Sequence, residues 1–324
     1  MAFARLAEAD SPTARIGLGL AAVGRPGYIN LGRDRDLPAD RTVDALRERT
    51  HALLDAAYAH GVRYLDAARS YGRSEEFLAG WLRERPDARD AVIGSKWGYR
   101  YVADWRTDAE VHEVKDHSAA TYDAQRAETR ALLGERLDLY QIHSVTLDSP
   151  ALTDRALHER LSRLAAEGVT VGLSTSGPAQ ADAIRAALEV SVGGRPLFGA
   201  VQATYNLLEP SAGAALAQAH AAGLAVIVKE TVANGRLATA AHAPEALREI
   251  AEETGADCDT VALAAVLQRT WVRVALSGAA TTGQLASHLA AATLRLDERQ
   301  LARLDGLAEQ PAAYWERRSR LPWS

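Results

Sequence analysis

The chain has 324 residues, 48% of them hydrophobic, and a formal net charge of −5. That length and apolar content suffice for a substantial core, and an α/β barrel of this size is ordinarily one domain. The acidic balance lacks the basic footprint of a nucleic-acid binder. A single cysteine, Cys258, excludes an internal disulfide and fits a reducing compartment. No run is long and apolar enough to cross a bilayer, and Met1 to Asp10 carries Arg5, Glu8 and Asp10 without the apolar stretch of a secretory signal. The expectation is a soluble, cytoplasmic protein that acts on a small molecule, with no nucleic-acid or membrane partner. Its oligomeric state is not legible in the sequence.

Arg15 to Val23 reads as a Gly-rich strand, followed by a turn over Gly24 to Gly27. Val43 to His60 has apolar residues at helical spacing and stops at Gly61. The alternation then recurs, with strands predicted at 62–66, 91–97, 137–143, 170–174, 200–204, 225–229 and 272–276. Helices are predicted near 75–84, 119–133, 152–166, 178–190, 213–222, 258–269 and 282–291. The strands are short and rich in Val, Ile and Leu, as expected when both faces are buried. Eight strand–helix units argue for a closed parallel (β/α)8 TIM barrel, one domain over residues 1–324. A doubly wound open sheet is the alternative. Against it, the first Gly-rich strand does not lead directly into a helix and no G-x-G-x-x-G opens one. A further helix, Asp297 to Leu307, and a tail, Tyr314 to Ser324, fall outside the eight units.

In such a barrel the chemistry gathers at the C-terminal ends of the strands. Those ends carry Asp66 on the second strand, Lys96 on the third and His143 on the fourth. Tyr71 lies in the turn Ala67 to Gly72, just before a helix with Glu75 and Glu76 in its first turn. Lysine occurs only at Lys96, Lys115 and Lys229, so each is conspicuous in a chain that otherwise uses arginine. Taken singly, Asp66 reads as a turn cap and His143 as a buried histidine; four ionisable groups at adjacent strand ends read as a site. A phenol has an ordinary pKa of about 10, and a neighbouring ammonium is expected to lower it. Asp66 would hold Lys96 in place, and His143 would share the oxygen that Tyr71 protonates. The set polarises a carbonyl and contains no nucleophile–base pair, which implies a hydride from a nicotinamide cofactor.

Leu65-Asp-Ala-Ala-Arg-Ser-Tyr-Gly72, Ser95-Lys-Trp-Gly98 and Leu137-Asp-Leu-Tyr-Gln-Ile-His143 resemble the aldo/keto reductase family. The likeness runs from about Ile16 to Ala291. It implies a (β/α)8 barrel with Asp66, Tyr71, Lys96 and His143 as its catalytic set. It also implies that Ser174, Thr175 (where asparagine is usual) and Gln202 hold the nicotinamide carboxamide. Ser277 to Leu285 resembles the family's adenosine-phosphate segment, so Gly278, Ala279, Thr281, Gln284 and His288 are expected at the cofactor, as are Gly19 and Gly235. Lys229, also expected at the cofactor, stands where an aromatic residue usually stacks on the ring; a lysine there loses the stacking and is open to pairing with a cofactor phosphate or a substrate anion, or to capping its strand end. Gly278 and Ala280 stand where a basic residue or serine often meets the 2′-phosphate. NADP(H) is the cofactor expected from the resemblance, with NAD(H) open.

Residues 98 to 117 follow the third strand and carry Tyr99, Tyr101, Trp105, His112, Lys115 and His117. With Trp97, Tyr28, Tyr314 and Trp315 they suggest aromatic walls for a sugar ring or an aromatic carbonyl. His112 and His117 are five apart rather than the four that would align them on a helix for zinc, so no metal is expected and the segment reads as a solvated loop. Arg317, Arg318 and Arg320 read as a solvated tail. The expected function is interconversion of an aldehyde, ketone or sugar lactol with its alcohol or lactone. The alternatives are a dinucleotide-binding regulatory subunit with little turnover, and a Schiff-base aldolase using Lys96 or Lys229.

Overall fold

The structure, a computed structural model, describes residues 2–8, 11–32, 36–37 and 40–323. Met1 and Asp10, which bound the segment read for a signal, and Ser324 of the predicted tail lie outside the described residues. The strands are Ile16–Gly19 (β1), Tyr64–Asp66 (β2), Val92–Trp97 (β3), Tyr99–Tyr101 (β4), Glu113–Lys115 (β5), Leu137–Val145 (β6), Thr170–Thr175 (β7), Ser191–Val192 (β8), Arg195–Pro196 (β9), Ala200–Thr204 (β10), Ala225–Lys229 (β11) and Val274–Ser277 (β12). Eight of them close a barrel in the order β1-β12-β11-β10-β7-β6-β3-β2. Every pairing within it is parallel. This is the (β/α)8 TIM barrel expected from the alternation.

The predicted helices appear at Val43–Ala59, Ser74–Glu84, Ala119–Leu133, Arg155–Ala166, Gln180–Leu188, Gly213–Ala221, Cys258–Leu267, Thr282–Ala290 and Glu298–Asp305. Three further helices, Ala2–Glu8, Glu245–Thr254 and Pro311–Ser319, were not predicted. The segment after β3 is not a loop: β4 and β5 pair as an antiparallel hairpin, in which Val114 and Lys115 stay exposed. No described helix is long and apolar enough to cross a membrane.

Side-chain alternation along the strands decides what faces inward. Tyr64, Val92, Leu139, Ala200, Ile227, Val274 and Leu276 join Leu6 of the N-terminal helix in one buried cluster that fills the barrel. Leu65, Ile93, Ile142, Leu173, Val201 and Val228 belong instead to the larger layer between strands and helices. Counting by twos from the filling residues reaches Asp66 from Tyr64, Lys96 from Val92, His143 from Leu139, Gln202 from Ala200 and Lys229 from Ile227. The same parity that builds the core therefore aims these side chains at the barrel mouth. Trp97 has the opposite parity.

Tyr64 occupies space that two glycines leave for it. A Cβ on Gly94 would stand 2.4 Å from the Tyr64 hydroxyl, and one on Gly17 2.8 Å from its ring. That hydroxyl donates to Asp66 Oδ1 at 3.0 Å. Gly94→Ala is expected to cost about 1–3 kcal/mol through overpacking, read from urea denaturation. In a Tyr64→Phe background the clash loses its nearest atom, so the same alanine should cost less; equal costs in both backgrounds would show that the hydroxyl is not what Gly94 accommodates.

Below the hairpin, His117 is 4% exposed. It is held at both ring nitrogens, Nδ1 2.6 Å from Ser149 Oγ and Nε2 2.8 Å from His143 O. Burial draws its pKa down to about 4. The unfolded chain, with an ordinary value of about 6.5, then takes up the proton first. Stability from this group is complete above pH 6.5 and lost as pH falls from there through 4. His117→Gln should flatten part of the fall in melting temperature across that window, and an unchanged slope would remove His117 as a contributor.

Candidate active site

Asp66, at the tip of β2, and Lys96, two residues above Gly94 on β3, are both buried. Lys96 Nζ donates to Asp66 Oδ2 and, at 3.1 Å, to Ala67 O. The other carboxylate oxygen, Oδ1, accepts from Tyr64 at 3.0 Å and from Gln202 Nε2 at 3.1 Å. A buried ion pair is tolerable when its remaining lone pairs are filled in this way.

Tyr71 is carried by the turn that leads into the Ser74–Glu84 helix, and that turn is fitted against the loop after β1. Arg73 N donates to Gly24 O at 2.8 Å, and a Cβ on Gly24 would stand 2.4 Å from Tyr71 O. Gly72, at φ +58°, has the left-handed backbone this close approach requires. The result places Tyr71 Oη 3.5 Å from His143 Nε2, while Ser70 Oγ is 3.4 Å from His143 Nδ1. Lys96 Nζ lies 4.7 Å from the Tyr71 ring centre. All four predicted residues thus meet at one mouth.

The electrostatics correct one expectation. Burial and the Asp66 charge push the Tyr71 phenol well above its ordinary pKa, and the Arg25 cation opposes them. The phenol is a protonated donor in the resting site rather than an acidified one. Burial, with Lys96 and Lys229 beyond it, holds His143 well below its ordinary value, so the imidazole is neutral.

Arg25 escaped the sequence reading. It is 2% exposed, with its guanidinium carbon 5.3 Å from the Tyr71 ring, 5.3 Å from Tyr28 and 4.7 Å from Trp323. Nη1 donates to Ser70 O at 2.8 Å and to Glu113 Oε1 at 2.6 Å. No local signal in Gly24-Arg-Pro-Gly27 points to burial, because the partners come from the hairpin and the tail.

A cleft of about 740 Å³ runs from this mouth across the barrel rim. At the near end it is lined by Gly19, Tyr28, Asp66, Tyr71, Gln202 and Lys229; Gly235 follows, and Gly278, Gln284 and His288 line the far end. Ala279 and Thr281 are not in the lining. Thr281 caps the Thr282–Ala290 helix through Gln284 N, and the Gln284 side chain accepts from Ala280 N at 2.9 Å. Ser174 and Thr175 lie fully buried behind the rim; the Ser174 hydroxyl accepts from Ser144 N at 2.8 Å. Thr175 Oγ1 and Gln202 Oε1 are buried without a hydrogen-bond partner among the described residues. Buried polar atoms are rarely left so, and of the two Gln202 lines the cleft, where its free oxygen fits a ligand amide.

The predicted aromatic walls are only partly there. Tyr28 lines the cleft, and the Tyr99 ring is 5.1 Å from His143. Trp97 is fully buried on the outer face of β3, packed 5.1 Å from Tyr122, because strand parity turns it toward the Ala119–Leu133 helix. Tyr101 lines a separate depression of about 400 Å³ with Trp105 and Gly72. Tyr314 is buried against Asn206, and Trp315 underlies Lys229, 5.9 Å from its Nζ.

Two solvated readings fail in part. His112 is buried and stacks on Trp323 with ring centres 4.2 Å apart. In the tail, Arg318 grips Glu230 through Nε at 3.0 and 2.9 Å and through Nη2 at 2.5 Å. Arg317, which reaches Glu309 at 3.1 Å, and Arg320, which caps the helix and pairs with Glu316, stay exposed as expected. The Pro311–Ser319 helix folds back over the mouth, which local patterning does not reveal. Among the described residues no group of three or more His, Cys, Asp or Glu side chains could hold a metal ion.

Comparison with known proteins agrees with the architecture. Residues 15–309 match the sequence profile of the Aldo/keto reductase family. The aldo-keto reductase str7 of Strobilurus tenacellus is 24% identical, the match covering 96% of each chain. Among solved structures, the holo form of an aldo-keto reductase from Bacillus halodurans superposes with a TM-score of 0.68 at 21% identity, covering 91% of this chain and 92% of that one. An aldo/keto reductase from Klebsiella pneumoniae in complex with NADP and acetate gives 0.65 at 23% identity over 90% of each. With a closed eight-stranded barrel and a family match over nearly its whole length, the chain belongs to the aldo/keto reductase family.

Proposed function

We propose that this protein is an NADP(H)-dependent oxidoreductase that interconverts an aldehyde, ketone or sugar lactol with its alcohol or lactone. The observation that carries the reading is the approach of Tyr71 Oη to His143 Nε2, 3.5 Å apart, beside a cleft large enough for a dinucleotide. Family membership and the NADP named for the Klebsiella neighbour support it.

Gln202, which lines the cleft with an unpaired oxygen, would hold the carboxamide, together with Ser174 and Thr175 from the end of β7. Gly278, Gln284 and His288 would meet the adenosine end, beside the N-terminus of the Thr282–Ala290 helix, a favourable place for phosphate. Bound reduced nicotinamide supplies a hydride to the carbonyl carbon. Tyr71 donates its hydroxyl proton to the carbonyl oxygen, which leaves a phenolate. Neutral His143 presents an N–H to the same oxygen and orients it. Lys96 and Arg25, at 4.7 and 5.3 Å from the Tyr71 ring, stabilise the phenolate, and Asp66 keeps Lys96 in position. In the reverse direction Tyr71 takes the proton back.

Tyr71→Phe should bind cofactor as wild type does while losing about 10²–10⁴ in turnover. The check is nicotinamide absorbance with a panel of aldoses, aromatic aldehydes and small ketones, alongside cofactor binding by fluorescence. Undiminished reduction by the variant would take the proton donor's role from Tyr71. Bound cofactor with no turnover by wild type across the panel would favour the regulatory-subunit reading. Comparable turnover with NADH and NADPH at equal low concentration would replace NADP(H) selectivity with dual use.

A further inference from the structure

Lys229 is the feature of the cleft that the reduction does not use. It ends β11, faces inward by strand parity, and lines the cleft together with Asp66, Tyr71 and Gln202. Its Nζ donates to Thr204 Oγ1 at 2.7 Å, and its side chain is 15% exposed. The carboxylate it approaches is Glu230, 3.6 Å away. That carboxylate is already held by three contacts from Arg318 and accepts from Thr204 Oγ1 at 3.2 Å. Two cations therefore converge on one carboxylate in a largely buried wall, which leaves an excess positive charge facing the cleft.

Two further observations mark this wall as built. Glu230 has φ +58°, a left-handed conformation that a non-glycine residue keeps only where its surroundings enforce it. Burial, with Arg318 and Lys96 nearby, draws the Lys229 ammonium down to about 8 even against the pull of Glu230. An ammonium so placed gains from any anion brought to it. The glycine-containing turn and helix N-terminus suited to a cofactor phosphate lie at the other end of the cleft, by Gly278 and Gln284. Lys229 instead shares the end that holds Tyr71, with the Trp315 ring beneath it.

We propose that Lys229 receives a carboxylate on the carbonyl substrate, so that the preferred substrates of this enzyme are oxo acids. This rests on the carbonyl-reductase reading and names the substrate class of that same site. The probes are matched pairs that differ only in the anion: 4-carboxybenzaldehyde against its methyl ester, and succinic semialdehyde against butanal. The full-length protein should show kcat/KM higher by about tenfold or more for the acid of at least one pair, the scale of one charge-assisted hydrogen bond in a sheltered site. Lys229→Met should bring that ratio to near one, whatever loss both members share, and Lys229→Arg should keep most of it. Without turnover, calorimetry should show benzoate binding more tightly than benzamide to wild type, with the difference absent in Lys229→Met. Reduction of both members of each pair at equal efficiency by wild type would overturn the assignment and leave the reductase reading standing. A preference that survives Lys229→Met, or a Lys229→Met variant that loses cofactor affinity with its acid preference intact, would overturn it as well. Reduction of none of the four would overturn the reductase reading and this assignment together.

Discussion

The buried pair between Asp66 and Lys96 is the contact on which the mouth of this barrel depends. Neither group reaches water, so each must find its partners within the protein. Asp66 answers with one oxygen for Lys96 and the other for Tyr64 and Gln202. Those three partners come from β2, β3 and β10, so a single carboxylate ties distant parts of the rim together. Removing either member of such a pair leaves an uncompensated buried charge, at a typical cost of 3–5 kcal/mol. The cost is reduced as far as geometry allows, by Ala67 O on the ammonium side and by a phenol that fits only because Gly94 and Gly17 have no side chains.

That pair also accounts for the state of Tyr71. A lysine beside a tyrosine suggests an acidified phenol, but here the lysine's charge is largely spent on Asp66. What remains at Tyr71 is desolvation and the carboxylate itself, both of which favour the neutral phenol. The cation most effective against them is Arg25, whose guanidinium carbon lies 5.3 Å from the ring centre. A proton donor for reduction benefits from this division. In the proposed reduction the phenol would stay protonated until a developing negative charge on substrate oxygen drew the proton away, and two cations would then stand ready for the phenolate.

The barrel and the gathering of ionisable residues at its strand ends were legible because both follow from short-range rules. The βα alternation is a matter of apolar period, and Asp66, Lys96 and His143 lie at even steps from the residues that fill the barrel. Trp97 was misread as a cleft wall although the same count places it outside; aromatic character was weighed above parity. Arg25, His112 and Arg318 were illegible for a different reason. Each is exposed by local pattern and wholly or partly covered by a partner far away in sequence, Glu113 and Trp323 for the first two and Glu230 for the third. The Glu245–Thr254 helix is more than half charged or polar, and its apolar face of Leu247, Ile250 and Ala251 is narrow.

The tail is the part of the molecule that sequence order hides most completely, and it explains why the cleft wall carries charge. Without Arg318, the side chain of Glu230 would neutralise Lys229 and the wall would be balanced. With Arg318 in place, Glu230 is held to about 2 despite its burial, so it stays ionised and is shared between two cations. The tail helix thus turns a neutral pair into a positive surface while the Asn206–Tyr314 hydrogen bond, at 3.0 Å, fixes where the helix sits. Further along, Trp323 stacks on His112 and covers Arg25, so the same segment reaches both the Lys229 wall and the cation above Tyr71. A chain end that contacts both sides of the mouth sets its charge and its shape together, and strand sequence alone carries neither.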